Sequence, residues 1–333
     1  MTGVERADAT MRAVVITRHG GPEVLALEQT QTPEPRAGHV LVRLEAAGLN
    51  FHDVIERRSG YPGQPEPPLR TGLEGAGTVT AVGEGVTEVA AGERVMWGAA
   101  GGSHAEVVEV PESAAMAIPD RLDSVQAAAV CSQGLTAHYL ASSLRDLTAG
   151  DTALVWAAAG GVGRLLTQVL SGKGVRVLAA TSTAEKAAVA QEAGAERVAL
   201  YADVPSAVKD FTDGTGVDVV YDGIGAPTFD TSLAAVRTRG LLVVYGRAGG
   251  QVPPVDLFRL SGAGSVQLVR PRFADFVASR SELLGRAKDL IGWLDKGVVT
   301  ARVDATFTLD EIAEAHRLLE SRTVIGKVVI LPS

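Results

Sequence analysis

Residues 155–168 read VWAAAGGVGRLLTQ, an apolar run followed by a glycine-rich turn and a helical pattern. This order is the context of the dinucleotide-binding fingerprint, with Ala158 in place of its first glycine. Gly160 would let the backbone approach a pyrophosphate, and Gly163 would let the helix pack close to the strand. Unpaired N–H groups and the positive end of the helix dipole favour a phosphate at the turn. The stretch therefore predicts a dinucleotide site; the alternative is a glycine-rich turn with no ligand.

Around this turn, apolar strands alternate with helices. We expect strands at Thr152–Ala157, Val175–Ala179, Arg197–Leu200, Val217–Tyr221 and Gly240–Tyr245. Helices are expected at Val162–Gly172, Ala184–Ala193, Pro205–Phe211 and Thr228–Val236. Apolar strands that alternate with helices are typical of a parallel sheet covered on both faces. The fold class predicted for this block is α/β, a doubly wound parallel sheet of the Rossmann type.

The two ends of the chain have a different pattern. The first third contains short β-branched or alternating runs at Arg12–Thr17, Val40–Ala47, Gly75–Val82, Arg94–Met96 and Ala105–Val110. The last part reads as helix Ser281–Lys296, strand Arg302–Phe307, helix Leu309–Ser321 and strand Gly326–Leu331. We expect both ends to form one β-rich domain, residues 1–128 with 269–333, which the nucleotide fold at 129–268 interrupts.

Composition and charge exclude several classes of function. The formal net charge of -8 and the pI of about 5.4 argue against broad binding of nucleic acid or anionic membranes. Cys131 is the one cysteine of the 333 residues, so neither an intramolecular disulfide nor a thiolate zinc cluster can form. The polar N-terminus lacks the apolar core of a secretory signal, and the apolar stretches are shorter than the ~20 residues of a membrane helix. We expect a cytoplasmic protein.

The residues after the second strand of the block indicate which nicotinamide cofactor binds. A site for NAD usually carries Asp or Glu about twenty residues after the glycine turn. Here residues 178–182 read LAATS without an acid, and Ser182 and Lys186 are present instead. A hydroxyl and an ammonium suit a 2′-phosphate, so the sequence favours NADPH. The alternative for Lys186 is a solvated lysine on a helix.

Several motifs together identify the family that the chain resembles. They are AAAGGVG, AGLNFHDVIERRSGYPGQPEPPLRTGLEGAGTVTAVGEGV (47–86), VDVVYDGIG (217–225), GLLVVYG (240–246) and AHRLLESRTVIGKVVI (315–330). With these motifs the chain resembles the medium-chain dehydrogenase/reductase superfamily, and within it the zinc-independent NADPH:quinone oxidoreductases. The resemblance implies a GroES-like substrate domain joined to a Rossmann domain, with the active site in the cleft between them. It also implies a homodimer, paired through an edge strand at Ser265–Arg270.

The same resemblance argues against a catalytic zinc ion. Zinc enzymes of this superfamily have a cysteine and a histidine at the positions that Asn50 and Leu73 occupy here. Neither side chain replaces those ligands. His52, His104 and His138 lie in different segments, so we predict no metal site.

The resemblance assigns roles to particular residues. Near the acceptor it places Asn50, as a hydrogen-bond donor, and Tyr61. Along the cofactor it places Thr136 near the nicotinamide and Gly246 near the nicotinamide ribose. At the pyrophosphate it places Gly160, Gly161, Val162 and Gly163. At the adenosine phosphate it places Ser182, Lys186, Tyr201 and Arg322.

Each of these side chains also has a purely structural interpretation. Asn50 could bond to its own backbone in a turn, Tyr61 could pack on proline, and Tyr201 could cap the sheet. Thr136 could make a local bond within a helix. Many relatives have a tyrosine where this chain has Ile55. The sequence therefore identifies the acceptor less closely than it identifies the cofactor.

An enzyme without zinc lacks the Lewis acid that stabilises an alkoxide. A quinone or an α,β-unsaturated carbonyl delocalises the incoming negative charge onto oxygen, so a few hydrogen-bond donors suffice. The sequence therefore predicts an NADPH-dependent reductase of quinones or enones. Two alternatives stay open: a reductase of enoyl thioesters or polyketide intermediates, and a non-catalytic protein that binds NADPH.

Overall fold

The computed structural model of the chain describes residues 10–61 and 63–333. Residues 1–9 of the polar N-terminus lie outside the described part. The first strand is Thr10–Ile16, where the sequence predicted Arg12–Thr17. In the described residues, every helix is too short or too polar to cross a membrane.

The strands and helices are numbered along the chain. The strands are β1 Thr10–Ile16, β2 Leu25–Gln31, β3 His39–Leu49, β4 Leu69–Arg70, β5 Glu74–Val82, β6 Arg94–Trp97, β7 Val107–Pro111, β8 Met116–Ala117, β9 Thr152–Trp156, β10 Arg176–Thr181, β11 Arg197–Leu200, β12 Val217–Asp222, β13 Val236–Val244, β14 Gln267–Val269, β15 Val303–Thr308 and β16 Lys327–Leu331. The helices are α1 Phe51–Ser59, α2 Ser124–Ser142, α3 Gly161–Gly172, α4 Ala184–Glu192, α5 Val204–Phe211, α6 Phe229–Ala235, α7 Phe258–Gly262, α8 Arg280–Asp295 and α9 Ile312–Glu320.

The chain divides into two compact units. The first unit contains the described residues of Met1–Ser132 together with Ser279–Ala287 and Ala301–Ser333. The second unit contains Gln133–Ala278 and Lys288–Thr300.

The second unit is built on a parallel sheet with the strand order β11-β10-β9-β12-β13-β14. The chain moves outward in one direction from β9 to β11 and in the other from β12 to β14. This order is that of the doubly wound nucleotide fold, and it confirms the predicted fold class. The central strands are mostly apolar and mostly buried, because helices cover both faces of the sheet.

The first unit is built mainly on antiparallel pairs. Strand β3 pairs with β5, β7 and β16, and β16 in turn pairs in parallel with β15. A second sheet has the order β2-β1-β4. Leu49 of β3, Trp97 of β6 and Ile330 of β16 lie in one buried apolar cluster. The last strand of the chain is therefore part of the core that the first strands form.

Two helices differ from the sequence prediction. The stretches Ser124–Val130 and Leu135–Ser143 each have a helical composition, and the structure joins them in the single helix α2. Helix α1 was not predicted, since FHDVIERRS carries few apolar residues. The signal that was overlooked is the start of this helix: Asn50 is its N-cap residue, and the backbone N–H of Asn50 donates to the Asp53 carboxylate at 2.7 Å.

Glycine allows α3 to start close to β9. A Cβ atom at Gly163 would lie 2.4 Å from the carbonyl oxygen of Ala157, which is backbone. A Cβ atom at Gly161 would instead lie 2.0 Å from Oε1 of Gln133, at the end of a flexible side chain. The two positions therefore differ in how easily the neighbouring atoms can move away.

This difference predicts opposite behaviour of two alanine variants. Gly163→Ala should lower the free energy of unfolding by about 2 kcal/mol or more, because a rigid carbonyl group has to move. Gly161→Ala is the matched control and should cost less than about 1 kcal/mol, since Gln133 can rotate away. Urea unfolding of both variants measures the two values. Equal losses would show that close packing of α3 against β9 does not constrain Gly163.

A buried histidine makes the stability of the first unit sensitive to pH. His316 lies on the inner face of α9, and in the described residues neither of its ring nitrogens has a hydrogen-bond partner. Burial lowers the pKa of His316 to about 3, although the charge of Asp53 acts in the opposite direction. Burial also lowers the pKa of His104.

Because the pKa of His316 is lower in the folded than in the unfolded chain, the unfolded chain binds more protons between these two values. The stabilising effect of the neutral ring is thus complete above about pH 6.5 and is lost as the pH falls toward 3. Going from pH 7 to pH 5 should cost about 2 kcal/mol through this residue.

The variant His316→Leu should remove that part of the pH dependence of unfolding, and His39→Leu, at the start of β3, should keep it. Urea unfolding at pH 5 and pH 7 makes the comparison. If the free energy of unfolding of His316→Leu still differs between pH 5 and pH 7 as in the wild type, another group causes the pH dependence.

Candidate active site

Most of the predicted cofactor residues lie at one edge of the parallel sheet. Gly160 to Gly163 follow β9, Ser182 follows β10, Tyr201 follows β11 and Gly246 follows β13. Because parallel neighbouring strands end at the same edge, the second unit brings these residues together. Thr136 belongs to the same unit and is half-buried on α2. Arg322 belongs to the first unit and is exposed, so its contact with the cofactor stays a prediction.

The glycine turn forms a cradle of backbone N–H groups. Gly160 is the N-cap residue of α3, and its own N–H donates to the Ala157 carbonyl at 2.8 Å. The first N–H groups of a helix have no acceptor within the helix, and they carry its positive dipole end. A Cβ atom at Gly160 would meet only the Ala157 carbonyl oxygen, at 3.2 Å, so the outer side of this turn has space. The cradle fits a pyrophosphate group.

Polar groups lie on the next strands along this edge. Ser182 is exposed and Lys186 is half-buried on the first turn of α4, whose N-cap is Thr183. Tyr201 contacts Trp156, with ring centroids 5.2 Å apart and tilted by 60°. Trp156 is the last residue of β9 and is buried beside the glycine turn. A hydroxyl and an ammonium next to the cradle provide donors that suit a phosphate on the adenosine ribose.

Asp222 fixes the loop on the other side of the glycine turn. Its buried carboxylate accepts from the N–H groups of Ile224 and Gly225, at 2.8 and 3.0 Å. It also accepts from the hydroxyl groups of Thr228, at 2.8 Å, and Ser232, at 2.7 Å. A Cβ atom at Gly246 would lie 2.2 Å from the carbonyl oxygen of Gly223. The loop after β13 thus passes directly against the loop that Asp222 holds.

Asn50 lies at the centre of a buried polar cluster in the first unit. Its Nδ2 donates to Oε1 of Glu74 at 2.7 Å, and its Oδ1 accepts from Nζ of Lys327 at 2.7 Å. Lys327 also forms an ion pair with Glu74. The contact of Asn50 to its own local backbone, at Gly48, is long, 3.5 Å. The amide therefore bonds to side chains from two other strands, β5 and β16.

Glu74 and Lys327 are the residues that sequence reasoning missed. Glu74 stands in the quoted motif GLEGAG and Lys327 in the motif IGKVVI, but neither received a role. A lysine and a glutamate inside two apolar strand patterns are the signal, because such side chains are rarely buried unless they pair. The exposed fraction of the side chain is 2% for Lys327 and 0% for Glu74.

Cys131 lies close to this cluster and is buried. Burial first, and the charge of Glu74 second, raise the pKa of the Cys131 thiol well above its usual value. Oε2 of Glu74 accepts the backbone N–H of Ser132, the next residue, at 2.7 Å. Cys131 is therefore a neutral thiol near a carboxylate and an ammonium.

Tyr61 lies beside α1. Its ring stacks on His52, with centroids 4.6 Å apart and planes 16° from parallel. The sequence left open a contact of Tyr61 with proline or with substrate, and the structure adds this histidine contact. His52 is half-buried, so the stacked pair combines an imidazole and a phenol at a partly accessible place.

The same helix carries a group of possible metal ligands. One ligand atom each from His52, Asp53 and Glu56 lies within 4.8 Å of the others. Asp53 already accepts the N–H of Asn50, and Glu56 accepts from Gln64 and Thr71 at 3.0 and 3.2 Å. Burial and the charge of Asp53 raise the pKa of Glu56. These carboxylates thus have partners from the protein.

Comparison with known families matches both parts of the chain. Residues 36–120 match the alcohol dehydrogenase GroES-like domain, and residues 161–283 match the zinc-binding dehydrogenase family. The GroES-like character that the resemblance implied for the β-rich part is thereby confirmed.

Individual relatives cover nearly the whole chain. A quinone oxidoreductase of Pseudomonas aeruginosa is 38% identical over 324 residues, 96% of this chain and 99% of its own length. A 2-haloacrylate reductase of a Burkholderia species is 36% identical over 330 residues, 96% of this chain and 98% of its own.

The crystal structure of the Escherichia coli quinone oxidoreductase in complex with NADPH superimposes with a TM-score of 0.94. It is 33% identical, and the match covers 96% of this chain and all of that one. The sequence motifs, the doubly wound sheet and relatives that match over nearly their full length all agree. The chain belongs to the quinone oxidoreductase family of the medium-chain dehydrogenase/reductase superfamily.

Proposed function

We propose that the protein is a zinc-independent reductase that transfers hydride from NADPH to a quinone or an α,β-unsaturated carbonyl compound. The observation that carries the proposal is the orientation of the Asn50 amide. Its oxygen accepts from Lys327 and its nitrogen donates to Glu74, so the amide is held with nitrogen as the donor. Relatives named quinone oxidoreductase and 2-haloacrylate reductase support this class of acceptor. The crystal structure of a relative with NADPH supports the cofactor.

The residues of the second unit hold the cofactor in this proposal. NADPH, when bound, supplies the hydride. The N–H groups of Gly160 to Gly163 bind its pyrophosphate, and Gly246 lies along its nicotinamide ribose. Ser182 and Lys186 bind the 2′-phosphate, with Tyr201 next to the adenosine. Thr136 lies near the nicotinamide. Arg322, from the first unit, joins the phosphate site.

The residues of the first unit act on the acceptor. Nδ2 of Asn50 donates a hydrogen bond to the acceptor oxygen, on which negative charge develops as hydride arrives. Tyr61, held by its stacking on His52, orients the acceptor and provides a second donor. Water supplies the final proton. A quinone or an enone suits this arrangement because its negative charge is spread over a conjugated system.

The domain limits proposed for this function are residues 1–128 with 269–333 for the substrate domain and 129–268 for the Rossmann domain. We also propose that the protein acts in the cytoplasm, where a reducing environment keeps Cys131 as a thiol.

A homodimer is part of the proposal. Strand β14 forms the last strand in the order of the parallel sheet, within the predicted edge Ser265–Arg270. Just before it, Leu257 and Phe258 expose 73% and 83% of their surface, which is unusual for large apolar residues. Light scattering should give twice the mass of the 34.5 kDa chain. A monomeric mass at micromolar concentration would contradict the dimer.

The activity is tested by following the oxidation of NADPH and NADH with EDTA present. The acceptors are an ortho-quinone, a para-quinone, an enone and an enoyl thioester. We expect turnover of a quinone or the enone with NADPH, and much less with NADH. Asn50→Ala should lower kcat about 100-fold, since it removes a donor to the developing oxyanion.

Lys186→Ala is the comparison variant for the cofactor end. It should raise KM for NADPH about tenfold and leave kcat unchanged, because its ammonium contacts a part of the cofactor that does not react. Turnover of the enoyl thioester alone would favour a tailoring reductase. NADPH binding without turnover of any acceptor would refute the proposed reaction and favour a non-catalytic role.

A further inference from the structure

Three strands that lie far apart in the sequence meet around Asn50. Strand β3 pairs on one side with β5, so that Gly48 is opposite Glu74. On its other side β3 pairs with β16, where Leu49 is opposite Val328, the neighbour of Lys327. Both charged side chains therefore reach the end of β3, where Asn50 follows.

Gly48 makes room for this charged pair. A Cβ atom at Gly48 would lie 2.4 Å from Oε1 of Glu74 and 2.6 Å from Cε of Lys327. Glu74 and Lys327 thus pack directly against the backbone of β3. The carboxylate of Glu74 cannot turn freely, because its second oxygen accepts the N–H of Ser132 at 2.7 Å.

The surroundings of Asn50 permit one orientation of its amide group. The ammonium of Lys327 can only donate, so it requires Oδ1. The carboxylate of Glu74 can only accept, so it requires Nδ2. A flipped amide would set oxygen against carboxylate and N–H against ammonium. The ion pair therefore presents Asn50 to its surroundings as an N–H donor.

The ammonium also changes the strength of that donor. A positive charge at the amide oxygen withdraws electron density from the nitrogen, and hydrogen bonds in such a chain strengthen one another. Both charges are removed from water, so solvent does not screen this effect. An acceptor oxygen that gains negative charge would meet a stronger donor than an isolated asparagine offers.

A buried ion pair is not explained by stability alone. Apolar residues of similar volume often stabilise a core equally well or better. Here the pair contacts the amide of a proposed catalytic residue. This position indicates that the pair orients that amide. Asn50 also stands where the resemblance places a ligand of the zinc enzymes, and in this chain the ammonium of Lys327 contacts its amide oxygen.

We propose that Lys327 is a positioning residue for hydride transfer: together with Glu74 it fixes and polarises the Asn50 amide as a donor to the acceptor oxygen. This inference rests on the proposed role of Asn50. It predicts that Lys327 affects the rate of hydride transfer and not the binding of the cofactor.

The test is a double-mutant cycle on the full-length protein, with NADPH and the best acceptor of the panel. Lys327→Met should lower kcat about 30-fold, somewhat less than the loss of the donor itself in Asn50→Ala. If Lys327 acts through Asn50, the double variant Asn50→Ala/Lys327→Met should be within about threefold of Asn50→Ala. Losses that multiply would overturn the proposal.

Lys327→Met alone leaves a buried carboxylate without its partner, and such a variant can fail to fold. A double variant that removes both charges keeps the test valid in that case. In Glu74→Gln/Lys327→Met both charges are removed, and a glutamine oxygen still accepts from Nδ2 of Asn50. This variant should fold and show the same loss of kcat. Full kcat in it would equally overturn the proposal. Lys327→Arg, which keeps a charged donor, should recover part of the activity.

A second readout separates positioning from simple structural damage. With NADPH deuterated at the transferred position, the kinetic isotope effect on kcat should rise in Lys327→Met, because hydride transfer becomes slower relative to other steps. A smaller fraction of folded enzyme would lower kcat without changing the isotope effect or KM, and that result would contradict the proposal. Lys209→Met, an exposed lysine on α5, is the matched control and should behave as wild type.

Failure of this inference is distinguishable from failure of the proposed function. Wild-type kcat in Asn50→Ala would remove the proposed role of Asn50, and the inference about Lys327 with it. A large loss in Asn50→Ala together with wild-type kcat in the Lys327 variants would leave the proposed function intact and overturn only the positioning role.

Discussion

Lys327 and Glu74 carry opposite charges in a place that water does not reach, and each side chain needs the other there. A buried ammonium without a carboxylate would cost several kcal/mol. The pair is possible only because β5 and β16 lie on opposite sides of β3 and bring residues 74 and 327 to its end. The orientation of the Asn50 amide depends on this arrangement, which also leaves no space for a side chain at Gly48. The last strand of the chain is thus required to complete a site near residue 50.

The two units hold their polar groups in different ways, and this explains which parts of the site the sequence could predict. In the second unit, backbone N–H groups at a helix start form the cradle, and this needs glycines at fixed spacing. Such a motif is local and can be recognised in a few residues, as VWAAAGGVGRLLTQ was. The alternation of strands and helices around it was predictable for the same reason, since each element has its own periodicity.

In the first unit, side chains from distant strands form the polar cluster. No local pattern shows that Glu74 faces Lys327, because their meeting depends on the register of β3 with two partners. The sequence identified Asn50 through a resemblance, but it could not show which of its amide atoms is the donor. Helix α1 was missed because its apolar residues are few, although Asn50 and Asp53 have the spacing of helix-capping residues. Strand β13 was predicted to begin at Gly240 and begins at Val236, since a glycine inside a strand resembles a boundary.

The kind of donor at Asn50 bears on the kind of acceptor the enzyme can use. A zinc ion stabilises a full negative charge on oxygen, as an alkoxide requires. An amide N–H is weaker, even with an ammonium on its oxygen, and it suits a charge that is already shared over several atoms. Reduction of a quinone or an enone produces such a delocalised charge, whereas reduction of a simple ketone does not. The buried ion pair therefore matches the acceptor class proposed here: it holds the Asn50 amide as a donor for a conjugated oxyanion without providing the field of a metal ion.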